Sequence, residues 1–198
     1  MKQAMNVTYD IKYSPEAATA IALGTFDGVH MGHRAVISAA VELARAEGLM
    51  PSVFTFADLP RNAFLPAEER IPALCTAAER ANLIMELGVE LLICPEFSLL
   101  KDMPAETFVN EILLDRLHAK HIVCGYDHRF GRGGAGDAEL LIKLCRAAGA
   151  GVTVVPPVLY EGERVSSTRI RAAIASGDTA AARAMLGRDP SRMGRDPL

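Results

Sequence analysis

Residues 24–34 read GTFDGVHMGHR and set two imidazoles, His30 and His33, three positions apart in a chain with five histidines in all. Histidine can donate, accept, carry a proton near neutral pH or bind a metal, so its neighbours decide its use. If a helix opens near His30, residues three apart share one face of the first turn, and both rings address one spot. The free N–H groups and partial positive charge of a helix start favour an anion there, and Gly24, Gly28 and Gly32 let the backbone come close. Phosphate is the obvious anion. Helix capping, surface placement, or two ligands of a metal site are readings the pair by itself leaves open.

A second stretch, RVSSTRIR at 164–171, brings three hydroxyls together with three arginines. Ser166, Ser167 or Thr168 can cap a helix, which accounts for one hydroxyl and not for three. With Arg164, Arg169 and Arg171 they would form a cradle for several phosphate oxygens, because guanidinium groups bind them bidentately and stay charged. Pairing of some of these arginines with Glu161 and Glu163 is the competing reading. Together the two helix starts describe a site for a polyphosphate that is attacked as well as held.

Both stretches need a scaffold, and the hydrophobic pattern supplies one. Apolar runs at 19–23, 51–56, 90–94, 121–125 and 151–157 alternate with helical patterns at 35–47, 68–87, 105–117, 138–148 and 168–177. This rhythm predicts an α/β, Rossmann-like open parallel sheet flanked by helices, with residues 1–188 as a single domain. Ligands of such sheets collect beyond the carboxyl ends of the strands, where the unusual stretches all fall. The tail, 189–198, has no packing pattern.

Composition excludes several classes. With 21 basic and 24 acidic side chains, no long-range field draws the chain to a polyanion, so nucleic acid is not an expected partner. The N-terminus lacks an apolar signal region and no apolar run approaches the roughly 20 residues a bilayer span needs, which predicts a cytoplasmic protein without membrane contact. The four cysteines, Cys75, Cys94, Cys124 and Cys145, form no C-x-x-C pair and read as reduced core thiols. Oligomeric state is not legible.

The ordered set FDGVHMGH at 26–33, FTF at 54–56, GYDHRFG at 125–131 and SSTRIR at 166–171 resembles the nucleotidyltransferases that carry an H-x-G-H signature. More narrowly, Thr19 to Arg188 resembles the FMN adenylyltransferase module of bacterial bifunctional riboflavin kinase/FAD synthetases. The resemblance implies transfer of AMP from ATP to FMN, giving FAD and pyrophosphate without a covalent enzyme intermediate. It makes His30, His33 and Arg171 the catalytic residues. It assigns ATP to Gly24, Phe26, Asp27, Gly28, Gly125, Asp127, Arg129, Arg164, Ser166, Ser167 and Thr168. On position and chemistry Phe56, Arg61 and Phe130 are the candidates for the flavin side, with plain core for Phe56 and plain surface for Arg61 as the competing readings. Mg²⁺ would ride on the phosphates, with no metal site of the protein's own.

The chain departs from that family at several places. TFADLPR at 55–61 stands where the family runs T-F-D-P-H-P, so a different phosphorylated acceptor, or a nucleotide or flavin binder without turnover, are alternatives to FMN adenylylation. His128 replaces a usual aromatic residue and reads as solvent-facing. Gly131, Gly133 and Gly136 match G-x-G-x-x-G, but they begin too far beyond the strand for a dinucleotide turn, and 132–136 reads as a surface loop. LGRDPSRMGRDPL at 186–198 resembles the start of the passage into a riboflavin kinase barrel, which makes 189–198 a truncated linker and predicts no riboflavin phosphorylation.

Overall fold

The computed structural model describes residues 5–190, so of the predicted tail only Asp189 and Pro190 fall within it and 191–198 lie outside. Six parallel strands form one sheet in the order β1-β4-β3-β2-β5-β6. They are β1 (Asn6–Thr8), β2 (Thr19–Leu23), β3 (Met50–Phe54), β4 (Leu91–Ile93), β5 (Ala119–Gly125) and β6 (Gly151–Val155). The five anticipated strands are all present. β1 is the addition: three half-exposed residues on an edge carry no readable alternation.

From central β2 the chain builds outward through β3 and β4, then returns to place β5 on the other side of β2. The order therefore reverses between β2 and β5, where a parallel sheet opens a crevice beyond its strand ends. The loops after these two strands are the ones that carry the H-x-G-H and G-Y-D-H-R-F-G stretches.

Alternate strand residues feed two cores. Ile21, Phe54, Ile93, Ile122 and Cys124 face the helix running through α3 (Ala105–Thr107) into a π-wound segment, Phe108–Arg116, together with α4 (Ala138–Ala147). Ala22, Val53, Leu92 and Val123 face α1 (Met31–Glu47), which buries Val36, Ile37, Ala40, Val41 and Ala44. Each fully buried aliphatic side chain contributes about 1.5–3 kcal/mol, so these two layers hold the sheet. All four cysteines are free and buried. Among the described residues no helix is long and apolar enough to cross a membrane.

Two helices differ from their predicted spans. α1 starts at Met31, four residues before the apolar period begins, because the His30 side chain caps it. The helical pattern at 68–87 yields a 3₁₀ turn at Ala67–Glu69 and an α-helix only at α2 (Ala77–Glu86), opened by a Thr76–Glu79 capping box. Pro72 breaks the earlier part, and Asn62 holds Ile71 in place by accepting from its N–H (2.8 Å) and donating to its carbonyl (2.9 Å).

Residues 159–186 complete the molecule at the carboxyl ends of the strands. A short hairpin, β7 (Leu159–Tyr160) and β8 (Glu163–Arg164), leads into α5 (Ser167–Ala175) and α6 (Thr179–Leu186). These bury Val165, Ile170, Met185 and Leu186 against Leu74 in a third core. The late basic stretch is thereby brought over the early histidine turn.

Candidate active site

The two helix starts meet at one cavity of about 470 Å³, within the usual range for small-molecule sites. Gly24, His30, Gly32 and His33 come from the β2–α1 turn, and Arg164, Ser166 and Ser167 from the entry to α5. Their N-termini share one geometry. The His30 Nδ1 atom accepts from the His33 N–H at 3.3 Å, and the Ser166 hydroxyl accepts from the Arg169 N–H at 3.2 Å. In each helix the third N–H is thus occupied, and those of Met31 and Gly32, and of Ser167 and Thr168, have no partner within the helix. These are donors for an anion.

The imidazoles of His30 and His33 stack with centroids 3.5 Å apart at 18°. Phe26 supports His33 edge-on at 5.4 Å. Burial, the largest influence, pushes His30 down to about 4, and burial followed by the His30 and Arg80 charges holds His33 well below the usual histidine range. Both rings are neutral at pH 7. Since Nδ1 of His30 accepts, its proton sits on Nε2, and a neutral ring still offers a donor.

The turn that presents these rings is strained. Phe26, Gly28 and Val29 have φ of 49°, 79° and 41°, and a Cβ on Gly28 would lie 2.9 Å from Leu74 Cβ. Such backbone persists where its surroundings fix it. Here the buried Asp27 carboxylate does so, accepting from the Leu74 N–H at 2.7 Å with Oδ1 and pairing with the Arg171 guanidinium through Oδ2. Arg171 also donates to the Pro72 carbonyl at 2.8 and 3.0 Å, while the Ser167 hydroxyl donates to the Asp27 carbonyl at 3.0 Å. Arg188 donates to the Gly28 carbonyl at 2.6 Å.

That arrangement corrects the reading of RVSSTRIR as one cradle. Its three arginines go three ways. Arg164 stands at the cavity, donating to the Tyr126 hydroxyl at 3.1 Å. Arg169 is taken up by Glu163 and the hairpin carbonyls of Tyr160 and Glu163. Arg171 is spent on Asp27 and Pro72, off the cavity wall, because a buried carboxylate draws the nearest guanidinium. Asp27, Gly28 and Thr168 are likewise not lining residues, nor is Arg61, which is exposed on the Pro60–Phe64 turn.

The loop after β5 forms the facing wall with Gly125, Asp127, Arg129 and Phe130. Arg129 lies 3.6 Å from Asp137 and Arg164 lies 3.9 Å from Asp127, both in exposed pairs worth little in water and easily exchanged for phosphate. One expectation for this loop is overturned. His128 is not solvent-facing: it stacks on Phe130 at 5.9 Å and 19°, and burial pushes its pKa down to about 4. In the stretch 132–136, Arg132, Gly133 and Ala135 are exposed as expected of a surface loop, while Gly134 lines the cavity and Gly136 bridges to Phe130. At Gly131, φ is 73° and a Cβ would fall 2.6 Å from Ala105 Cα, so the close approach to α3 demands glycine.

Another part of the cavity lining is aromatic. Phe54, Phe56, Phe97, Phe108 and Phe130 line it, with edge-on contacts of 5.8 Å for Phe54–Phe56 and 5.1 Å for Phe56–Phe97. Ala57, Asp58 and Leu59, the departures from T-F-D-P-H-P, do not line it.

Sequence reading missed Arg80, Tyr126, Pro72, Leu74 and Arg188. The signal for Arg80 was a lone basic residue four before Ile84 on the buried stripe of α2.

The buried histidines predict acid lability. His30 and His128 bind a proton in the unfolded chain near pH 6.5 and in the folded one only near 4. Their contributions to stability should therefore be level above pH 6.5, fall as pH drops toward 4 by about 1.4 kcal/mol per unit for each withheld proton, and flatten below, where His33, held well under the usual histidine range, continues the loss. Urea unfolding across that range checks it, and His128→Phe should remove one proton from the slope.

A sequence model described as FAD synthetase matches residues 12–169. The bifunctional riboflavin kinase/FMN adenylyltransferase of Escherichia coli K12 is 32% identical over 189 residues, covering 94% of this chain and 60% of that protein. A FAD synthetase of Listeria monocytogenes is 33% identical over 173 residues, covering 86% and 69%. A solved Streptococcus pneumoniae structure, described as a macrolide-efflux protein, superposes with a TM-score of 0.82 at 31% identity over 93% of this chain and 60% of that one. The chain thus spans about 60% of the length of the first curated relatives it matches.

Proposed function

Because the chain belongs to the FAD synthetase family, we propose that it transfers the adenylyl group of ATP to the phosphate of FMN. The observation that carries this reading is the convergence of two helix N-termini and a stacked histidine pair on one cavity that five further aromatic rings also line. A triphosphate suits the former, and a flat tricyclic ring suits the latter.

An oxygen of the FMN phosphate attacks the α-phosphorus in line, the bond to the bridging α–β oxygen breaks, and pyrophosphate leaves with that electron pair. Negative charge gathers on the α-phosphate oxygens and on the leaving group. His30 and His33 donate to the former. The free N–H groups of Ser167 and Thr168, with Arg164, hold the latter. Asp27 and Arg171 act by fixing the two helix starts relative to each other. Since these donors are already placed, little reorganisation accompanies the reaction.

Mg²⁺ would arrive on the triphosphate and neutralise its charge. A hard cation of this kind keeps most of its waters and would bind chiefly through phosphate.

The acceptor is FMN in this reading because the aromatic lining persists beside the altered Ala57–Leu59 stretch, which does not itself line the cavity and whose Asp58 accepts from the Phe97 N–H at 3.4 Å. Incubation of the purified chain with ATP, Mg²⁺ and FMN should yield FAD and pyrophosphate in equal amounts. Folded protein that makes no FAD, or that releases pyrophosphate faster with another phosphorylated acceptor, would refute it.

A further inference from the structure

Arg80, on α2, is only 6% exposed, yet its hydrogen bonds go to neutral acceptors. Nη1 donates to the Thr25 carbonyl at 3.3 Å, and Nη2 to the carbonyls of Phe56 at 2.6 Å and Ala57 at 3.2 Å, with Cys94 Sγ at 3.8 Å. Among the described residues no carboxylate lies within salt-bridge distance of it. A charge buried this way is costly unless the geometry requires it or an opposite charge arrives with a ligand.

Both conditions apply at this place. Thr25 belongs to the turn that carries His30 and His33, whereas Phe56 belongs to the segment that begins the aromatic wall. The Thr55 hydroxyl, which also donates to the Thr25 carbonyl at 2.9 Å, joins the same two segments. One guanidinium therefore spans the loops after β2 and β3, one serving each part of the cavity. We propose that Arg80 is a positioning residue for adenylyl transfer: it sets the phosphate part against the aromatic part, and its buried charge adds to the attraction for the incoming triphosphate. This rests on the reading of the cavity as an ATP site. The downward influence of the Arg80 charge on His33 is consistent with a field that reaches the rings.

Arg80→Met and Arg80→Lys separate the two roles. Binding of α,β-methylene-ATP with Mg²⁺ is measured by calorimetry, histidine titration by NMR, and kcat and KM for FMN by FAD formation, after circular dichroism has confirmed folding. Arg80→Met should weaken the analogue about tenfold, the effect of one charge roughly 10 Å away at an effective dielectric near 20, and His33 should titrate at higher pH. Arg80→Lys should restore affinity and titration but not the rate, because a single ammonium cannot reproduce the planar fork across both loops.

Folded Arg80→Met with affinity, titration and kcat all within twofold of the parent overturns the proposal. So does a folded Arg80→Lys that restores nothing, since that outcome assigns Arg80 to packing alone. If Arg80→Met does not fold, Arg80→Lys with parental affinity and a reduced rate supports the proposal, and parental values of both overturn it. A parent chain that binds the analogue but forms no FAD sinks the acceptor assignment while leaving the binding and titration results decisive here.

Discussion

His30→Ala is expected to lower kcat for FAD formation by about 10²–10³, the usual effect of deleting one donor aimed at charge that develops in the transition state. Affinity for ATP should change far less, because the free N–H groups of both helices remain. The substitution also removes the α1 cap, at a cost of about 1 kcal/mol. His30→Asn tells these effects apart: asparagine is a good cap, so stability should recover, while the rate stays low because the short amide cannot reach where Nε2 does. Steady-state rates of pyrophosphate release, with thermal unfolding in parallel, give both readouts. A His30→Ala enzyme with near-parental kcat would remove the ring from the chemistry.

The largest effect on stability should come from Asp27→Ala. The change strands the partly buried Arg171 guanidinium without its carboxylate and leaves the buried Leu74 N–H unpaired. Breaking a buried pair from one side costs about 3–5 kcal/mol, which for a domain of this size lowers Tm by about 10 °C. Replacing both partners, Asp27→Ala with Arg171→Met, should cost less than the sum of the single changes, since no lone charge is left behind. Urea denaturation of the four proteins completes the cycle. Additive losses would mean that the pair does not hold the turn.

The same pair shows where sequence reasoning reaches and where it stops. Asp27 and Arg171 each lie in a motif that resembles a nucleotide site, and both were assigned to substrate or catalysis on that ground. In the folded chain they bind each other across 144 residues of separation. Nothing local to either motif reveals this. His128 repeats the lesson: a polar residue in a glycine-rich loop reads as exposed, yet Phe130 beside it turns inward and takes the ring along as a stacking partner.

By itself the sequence determined the alternation of strands and helices and the place of both motifs at strand-to-helix turns, because hydrophobic period and glycine turns act over a few neighbouring residues; the ordered motifs added the resemblance to the family. Tertiary structure alone decided which arginine faces the cavity, which one clamps the histidine turn, and that the segment around Pro72 and Leu74 is irregular scaffold instead of helix. Those outcomes follow from competition among distant charged and polar groups for a few buried partners, and only the closed chain brings the competitors within reach of one another.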